Sequence, residues 1–224
     1  DAQESRGLGD VYKRQALGSG YFVIGWDMLQ KRMTEAAFPM LSANVVLSET
    51  GALVGQPYIV KELTAEHKAA IIGLTDPDVV GFVRAIAGPP LRVLDAAETL
   101  RRYVDELSPQ ADVIILLSHL GFGEDQNLAR QFPEIDIIVG GKSGHLFNPP
   151  IRPVPDGPII AQAGSLGQNL GLVRLDFDAR GNLLSWDGRL ILLGPDSPDD
   201  PAMVEFLQPY RERLTPIAPN VETQ

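Results

Sequence analysis

DVIILLSHLGFGEDQNLARQFPEIDIIVGGKSGH, residues Asp112–His145, decides the fold class. Asp112–Ser118 is almost continuously apolar, which suits a strand buried on both faces of a sheet. Glu124–Gln131 reads as a short helix, and Ile135–Val139 is a second apolar run of strand length. Strand, helix, strand in about thirty residues is a βαβ unit, and such crossovers are right-handed with parallel strands. An α/β protein is predicted.

Working outward, Pro158–Ala163, Leu170–Phe177 and Leu183–Leu193 read as strands. The last two flank the turn Asp178-Ala179-Arg180-Gly181-Asn182, so a β-hairpin is expected there. A helix over Pro201–Leu214 follows, opened by Asp199 and Asp200, whose charges favour a helix N-terminus. On the other side, Asp95–Leu107 places Leu100, Val104 and Leu107 on one helical face behind an Asp that can cap it. Gly25–Ala37 shows a similar face through Trp26, Leu29 and Met33. Met40–Leu47, Tyr58–Lys61 and Ala69–Leu74 read as strands.

Composition narrows the chemistry. The 224 residues carry 19 Lys+Arg against 29 Asp+Glu, a formal net charge of −10, which disfavours attraction to a phosphate backbone and so a general nucleic-acid partner. There is no Cys, so thiolate catalysis, disulfides and iron–sulfur ligation are excluded. No apolar run approaches the length of a membrane span. Residues 1–15, DAQESRGLGDVYKRQ, lack the apolar stretch of a signal peptide and read as a non-native or disordered leader.

Ligands of open α/β sheets bind at the carboxyl ends of the strands. Two loops stand there, Ser118-His119-Leu120-Gly121 and Gly140-Gly141-Lys142-Ser143-Gly144-His145, so two of the three histidines fall on neighbouring loops. Imidazole at such a place ligates a metal or shuttles a proton, or it fills a polar gap. His67, in the polar connector TAEHK, reads as a solvated side chain.

Three segments in order, FPMLSANVV (Phe38–Val46), Val113–His145 and IIAQAGSLGQNLGLVRLDFD (Ile159–Asp178), resemble the calcineurin-like metallophosphoesterase domain of bacterial 5'-nucleotidases. DDPAMVEFLQPYRERL (Asp199–Leu214) looks like the helix that leaves this domain toward a C-terminal substrate domain. The resemblance covers residues 16–214 and implies a four-layer α/β/β/α sandwich with mixed sheets, incomplete at its N-terminus. Residues 215–224 would be a linker toward a C-terminal domain of the same parent chain. It also implies divalent metal ions, Zn²⁺, Mn²⁺ or similar, as a pair that clamps a phosphoryl oxygen and activates water. The substrate would be a nucleotide or another small phosphate ester, and the protein would be periplasmic or otherwise exported.

The family's ligands come from an Asp-x-His strand end, a Gly-Asp-x-x-Asp loop, a Gly-Asn-His-Glu loop, a single His after a strand and a Gly-His-x-His loop. The first two have no counterpart in this sequence, which is expected to begin after them. ALGSGYFVIGWDML (Ala16–Leu29) puts Ser19 at the metal-binding Asn position and Gly20 at the transition-state His position. His119 matches the single metal-binding His. In GGKSGH, Lys142 and Gly144 take the two His positions, while His145 falls one residue late and reaches a metal only through a one-residue bulge. Glycine offers no side-chain ligand and a protonated Lys no lone pair. Lys142 is then either a fixed cation in place of a metal's charge, pairing with a phosphate or with an Asp from the missing strands, or a solvated loop lysine.

The resemblance therefore leads to a phosphoric ester hydrolase of the metal-dependent nucleotidase type, with a reduced or absent metal complement and His119 and His145 as metal ligands. Lys142 is its substrate-binding residue, no catalytic residue is assigned, and the 224-residue chain by itself is expected to be inactive. The alternative is a binding or structural module that keeps the fold without the catalysis. Absent first strands would also leave Asp112–Leu117 with an unpaired edge, which favours aggregation.

Overall fold

The βαβ unit forms as its pattern predicts, and it lies at the centre of the molecule. The computed structural model describes residues 15–85, 88–178 and 181–214. In chain order the elements are β1 (Gln15–Ala16), α1 (Ser19–Val23), α2 (Trp26–Glu35), β2 (Met40–Leu41), β3 (Val45–Leu47), β4 (Tyr58–Glu62) and β5 (Lys68–Thr75). There follow α3 (Val79–Ala85), β6 (Leu91–Val93), α4 (Ala96–Leu107), β7 (Val113–His119), α5 (Phe122–Gln131) and β8 (Ile137–Gly140). The last are β9 (Ile159–Ala161), β10 (Asn169–Phe177), β11 (Leu183–Leu192) and α6 (Pro201–Leu214).

Five strands form the main sheet in the order β4-β5-β7-β8-β9. The β4 strand is antiparallel to β5, and the other neighbours are parallel. One expectation is corrected here. Asp112–Leu117 has no open edge, because β7 pairs with β5 from Ala69↔Val113 to Thr75↔His119 and with β8 from Ile115↔Ile137 to Ser118↔Gly140.

Alternation along the strands sorts the core into two layers. Ile114 and Leu116 join Ala70, Ile72 and Leu74 against Leu100, Tyr103, Val104 and Leu107 of α4 and Leu128 of α5. Ile115, Ile137, Ile159 and Ala161 face the other way, onto Val173, Leu175, Leu183 and Trp186 of the antiparallel β10–β11 hairpin. Each fully buried Leu or Ile stabilises by about 1.5–3 kcal/mol relative to exposure, so both faces of the sheet are held by side-chain burial. Helices cover one face and a second β layer covers the other, giving the α/β class with mixed sheets. The Asp95 cap of α4 is made as expected, its side chain accepting from the Glu98 N–H at 2.8 Å.

Met40–Leu47 is not one strand but two. The β2 strand pairs in parallel with β1, and β3 pairs antiparallel with β6. Between them Ser42 and Asn44 are fully buried polar residues that bond to Thr75, so the chain bends over the end of β5 to satisfy them. Leu17, Phe22, Leu29, Met40, Val45 and Val79 close a second core beside this crossing. Gln15, grouped with the leader in the sequence reading, is part of β1. The rest of the leader and residues 215–224 lie outside the described residues.

Candidate active site at the strand ends

Because β5, β7 and β8 are parallel, their carboxyl ends open at one edge of the sheet, and the residues that follow them meet there. The end of β5 is clamped. Thr75 donates its hydroxyl to the Leu17 carbonyl at 2.7 Å and exchanges two backbone bonds with the Asn44 amide, at 2.8 and 2.9 Å. The clamp fixes the next residue, Asp76, beside the end of β7. Gly18, just after β1, lies against the imidazole of His119, where a Cβ would come within 2.9 Å of the ring.

Asp76 is fully buried. Its Oδ1 accepts the Asp78 N–H at 2.9 Å and lies 3.2 Å from the Lys142 ammonium. Its Oδ2 has no hydrogen-bond partner and stands 3.8 Å from Nε2 of His119, beyond hydrogen-bonding distance. Lys142 also donates to Oδ2 of Asp78 at 2.7 Å. That bond raises the ammonium above the usual lysine range and holds the Asp78 carboxyl below the usual carboxylate range. Burial pushes the His119 imidazole below its ordinary value; Asp76 opposes that shift and Lys142 adds to it. The imidazole is thus neutral at pH 7. One ammonium facing two carboxylates leaves the cluster formally anionic.

A second polar group lies beneath it. Asp125 is fully buried and accepts from the Ser118 hydroxyl, while the Gln162 amide approaches its other oxygen at 3.4 Å. Burial raises its carboxyl to about 6 against those two bonds. This group ties α5 to the ends of β7 and β9.

Two of the three site residues read from the sequence come together, His119 and Lys142, both beside Asp76. Lys142 pairs with Asp76 and Asp78, which follow β5 of this chain, and not with an Asp from strands before its first residues. His145 goes elsewhere. It is exposed, its ring stacks on Phe147 at 5.5 Å and meets the edge of Phe122 at 4.9 Å, and its N–H donates to Gln162. Ser19 sits at the site, with Oγ 3.3 Å from Nε2 of His119. His67 faces Asp112 at 3.5 Å and is about one-third exposed, so it is paired rather than freely solvated. Sequence reasoning missed Asp76 and Asp78. The usable signal was an Asp-Pro-Asp placed directly after a buried strand, at the same sheet edge as His119.

The two divalent ions implied by the resemblance do not fit these residues. On that resemblance Ser19, Lys142 and Gly144 take three ligand positions and Gly20 the transition-state His position, and His145 is turned to Phe147. Among the described residues no three His, Asp or Glu side chains converge as a metal-binding group. A cavity of about 490 Å³ lies between the sheet and the hairpin, lined by Ile115, Ile137, Leu172 and Val173.

Comparison with known proteins bears on the family. No family model matches the chain. It is 30% identical to human 5'-nucleotidase over 227 aligned residues, covering 91% of this chain and 39% of that protein. It is 31% identical to the 5'-nucleotidase precursor from Thermus thermophilus, with a TM-score of 0.72 over 93% of this chain and 46% of that one. The calcineurin-like phosphoesterase YfkN from Bacillus subtilis superposes with a TM-score of 0.80 at 21% identity, over 95% of this chain and 73% of that one, and so speaks for the fold. The chain spans about two fifths of the length of the human enzyme. Fold and sequence agree: over about nine tenths of its length the chain is similar to part of the 5'-nucleotidases, and it has the calcineurin-like phosphoesterase fold.

Proposed function

We propose that this protein is a phosphoric ester hydrolase of the nucleotidase type by descent, and that the 224-residue chain by itself does not turn over substrate. The observation that carries the reading is Lys142. Its ammonium is held between Asp76 and Asp78 at the strand ends, where the relatives' chemistry would need a metal-bound water. Residues 16–214 are the phosphoesterase-type unit, and residues 215–224 lead toward a second domain that binds a nucleotide or another small phosphate ester. Export from the cytoplasm follows the same kinship; among the described residues no helix is long and apolar enough to cross a membrane. His119 is the one family metal position that keeps its side chain.

The test is an assay of the purified chain with Mn²⁺ or Zn²⁺ against AMP and an activated aryl phosphate. No turnover above the His119→Ala variant is expected. Turnover that His119→Ala abolishes would overturn the reading.

The same lysine favours a second reading, a binding or structural module, because an ammonium pinned by carboxylates holds a site together without chemistry. Equilibrium dialysis of AMP against the chain separates the two: saturable binding without hydrolysis supports the module, and neither binding nor hydrolysis supports the silent hydrolase.

A further inference from the structure

We propose that the Lys142 ammonium is the resident cation of the strand-edge site, seated where Asp76 and His119 would otherwise share a divalent metal ion. Neither Asp76 nor Asp78 falls at a position that the family motifs supply.

The buried carboxylate is the starting point. A fully buried oxygen without a hydrogen-bond partner is costly, and Asp76 Oδ2 is such an atom. It faces His119 Nε2 across 3.8 Å. That gap is too long for a hydrogen bond. It is slightly shorter than the sum of a metal–oxygen and a metal–nitrogen bond, each about 2.0–2.2 Å for Zn²⁺, so one ion placed off the line touches both atoms. Ser19 Oγ, 3.3 Å from the same nitrogen, adds a polar neighbour. The donors are a carboxylate and a neutral imidazole, the set that suits Zn²⁺ or Mn²⁺.

The ammonium keeps that ion out. It lies 3.2 Å from Oδ1 of the same carboxylate and 2.7 Å from Asp78, whose side chain is 64% exposed and bound to the site through Lys142. A dication on Oδ2 would stand a few ångströms from a positive charge that the carboxylates already neutralise. Removing the charge leaves Asp76 and Asp78 without their cation and frees Asp78 to turn inward as a third donor. The wild-type site is therefore closed to divalent metals by a charge carried on the chain itself.

The experiment is titration of Zn²⁺ and of Mn²⁺ into the metal-free wild-type chain and into Lys142→Ala, read by calorimetry and by the shift of the thermal unfolding midpoint. The variant is expected to bind one ion at least about tenfold more tightly than wild type, the size that repulsion between a dication and a nearby ammonium has even in water-like dielectric. Asp76→Asn in the Lys142→Ala background is expected to abolish the gain. Because a ligand that binds the folded state stabilises it, a Lys142→Ala chain that unfolds without metal and refolds with it also supports the proposal. Equal binding by wild type and variant, no binding or metal rescue of the variant, or a gain that survives Asp76→Asn would each overturn it. None of these readouts depends on phosphatase activity, so the outcome is independent of the functional assay above.

Discussion

The Lys142 ammonium lies 3.2 Å from the Oδ1 of Asp76, a carboxylate with no solvent exposure. Truncating the lysine strands that charge in the protein, and this sets the first prediction. Lys142 is itself 34% exposed, so solvent screens the pair and Lys142→Ala should cost about 1–3 kcal/mol, less than the roughly 3–5 of a fully enclosed ion pair. Urea unfolding in the presence of a chelator measures it. The double variant Lys142→Met/Asp76→Leu removes both charges and should be the more stable of the two. A double variant less stable than Lys142→Ala would mean that the pair is not what holds this corner.

His119 gives the second prediction. Burial, the largest cause, depresses its basicity, so the folded chain resists the proton that the unfolded chain accepts near pH 6.5. Its contribution to stability is present above that pH and is lost as pH falls below it. By NMR the His119 imidazole should titrate below 6.5. Asp76→Asn should lower its value further, and Lys142→Ala should raise it, because Asp76 favours the protonated ring and Lys142 opposes it. Titration at or above 6.5 would contradict the buried placement of the ring.

The parallel strands on either side of α5 were legible because buried strands are apolar on both faces, and Ile114–Leu117 and Ile137–Val139 show that directly. Met40–Leu47 was misread for a physical reason. Its apolar run looks continuous, but Ser42 and Asn44 are committed to Thr75, thirty-odd positions away, and local periodicity carries no trace of that. His119 ends β7 and His145 lies five residues beyond the end of β8, so in sequence both fall at the same sheet edge. Gly144, at φ +66°, turns the chain so that His145 joins Phe122 and Phe147. Asp76 is one of 29 acidic residues; its place directly after an apolar strand was legible, whereas the closing of Leu17 and Asn44 over the end of β5 was not.

Asp125 supplies a third prediction, with the opposite sign to His119. Its carboxyl is raised from 3.8 to about 6 by burial, so the folded state holds its proton more tightly than the unfolded state does. That preference favours folding fully below pH 3.8 and is lost as pH rises through about 6. Asp136 is raised to about 6 by burial as well and contributes in the same sense. Asp125→Asn removes one of the two. The difference in unfolding free energy between wild type and variant should shift by on the order of 2–3 kcal/mol between pH 4 and pH 7, in favour of wild type at the acid end. A difference that stays flat across this range would show that the carboxyl titrates normally.

Gly18 tests whether the site is held by close packing as well as by charge. Its backbone is extended, φ −88°, so any residue could adopt the conformation, and only space forbids a side chain. An added Cβ would meet three imidazole atoms of His119 at 2.9–3.1 Å. The ring cannot retreat freely, because Ser19 and Asp76 stand on its Nε2 side. Gly18→Ala should therefore destabilise the chain by about 1–3 kcal/mol, as overpacking does. Adding His119→Ala clears the clash, so Gly18→Ala should cost much less in that background than in wild type, and the coupling measured by a double-mutant cycle should be large. Additive effects would place the strain of Gly18→Ala outside the His119 ring and would leave the imidazole free to move away from Asp76.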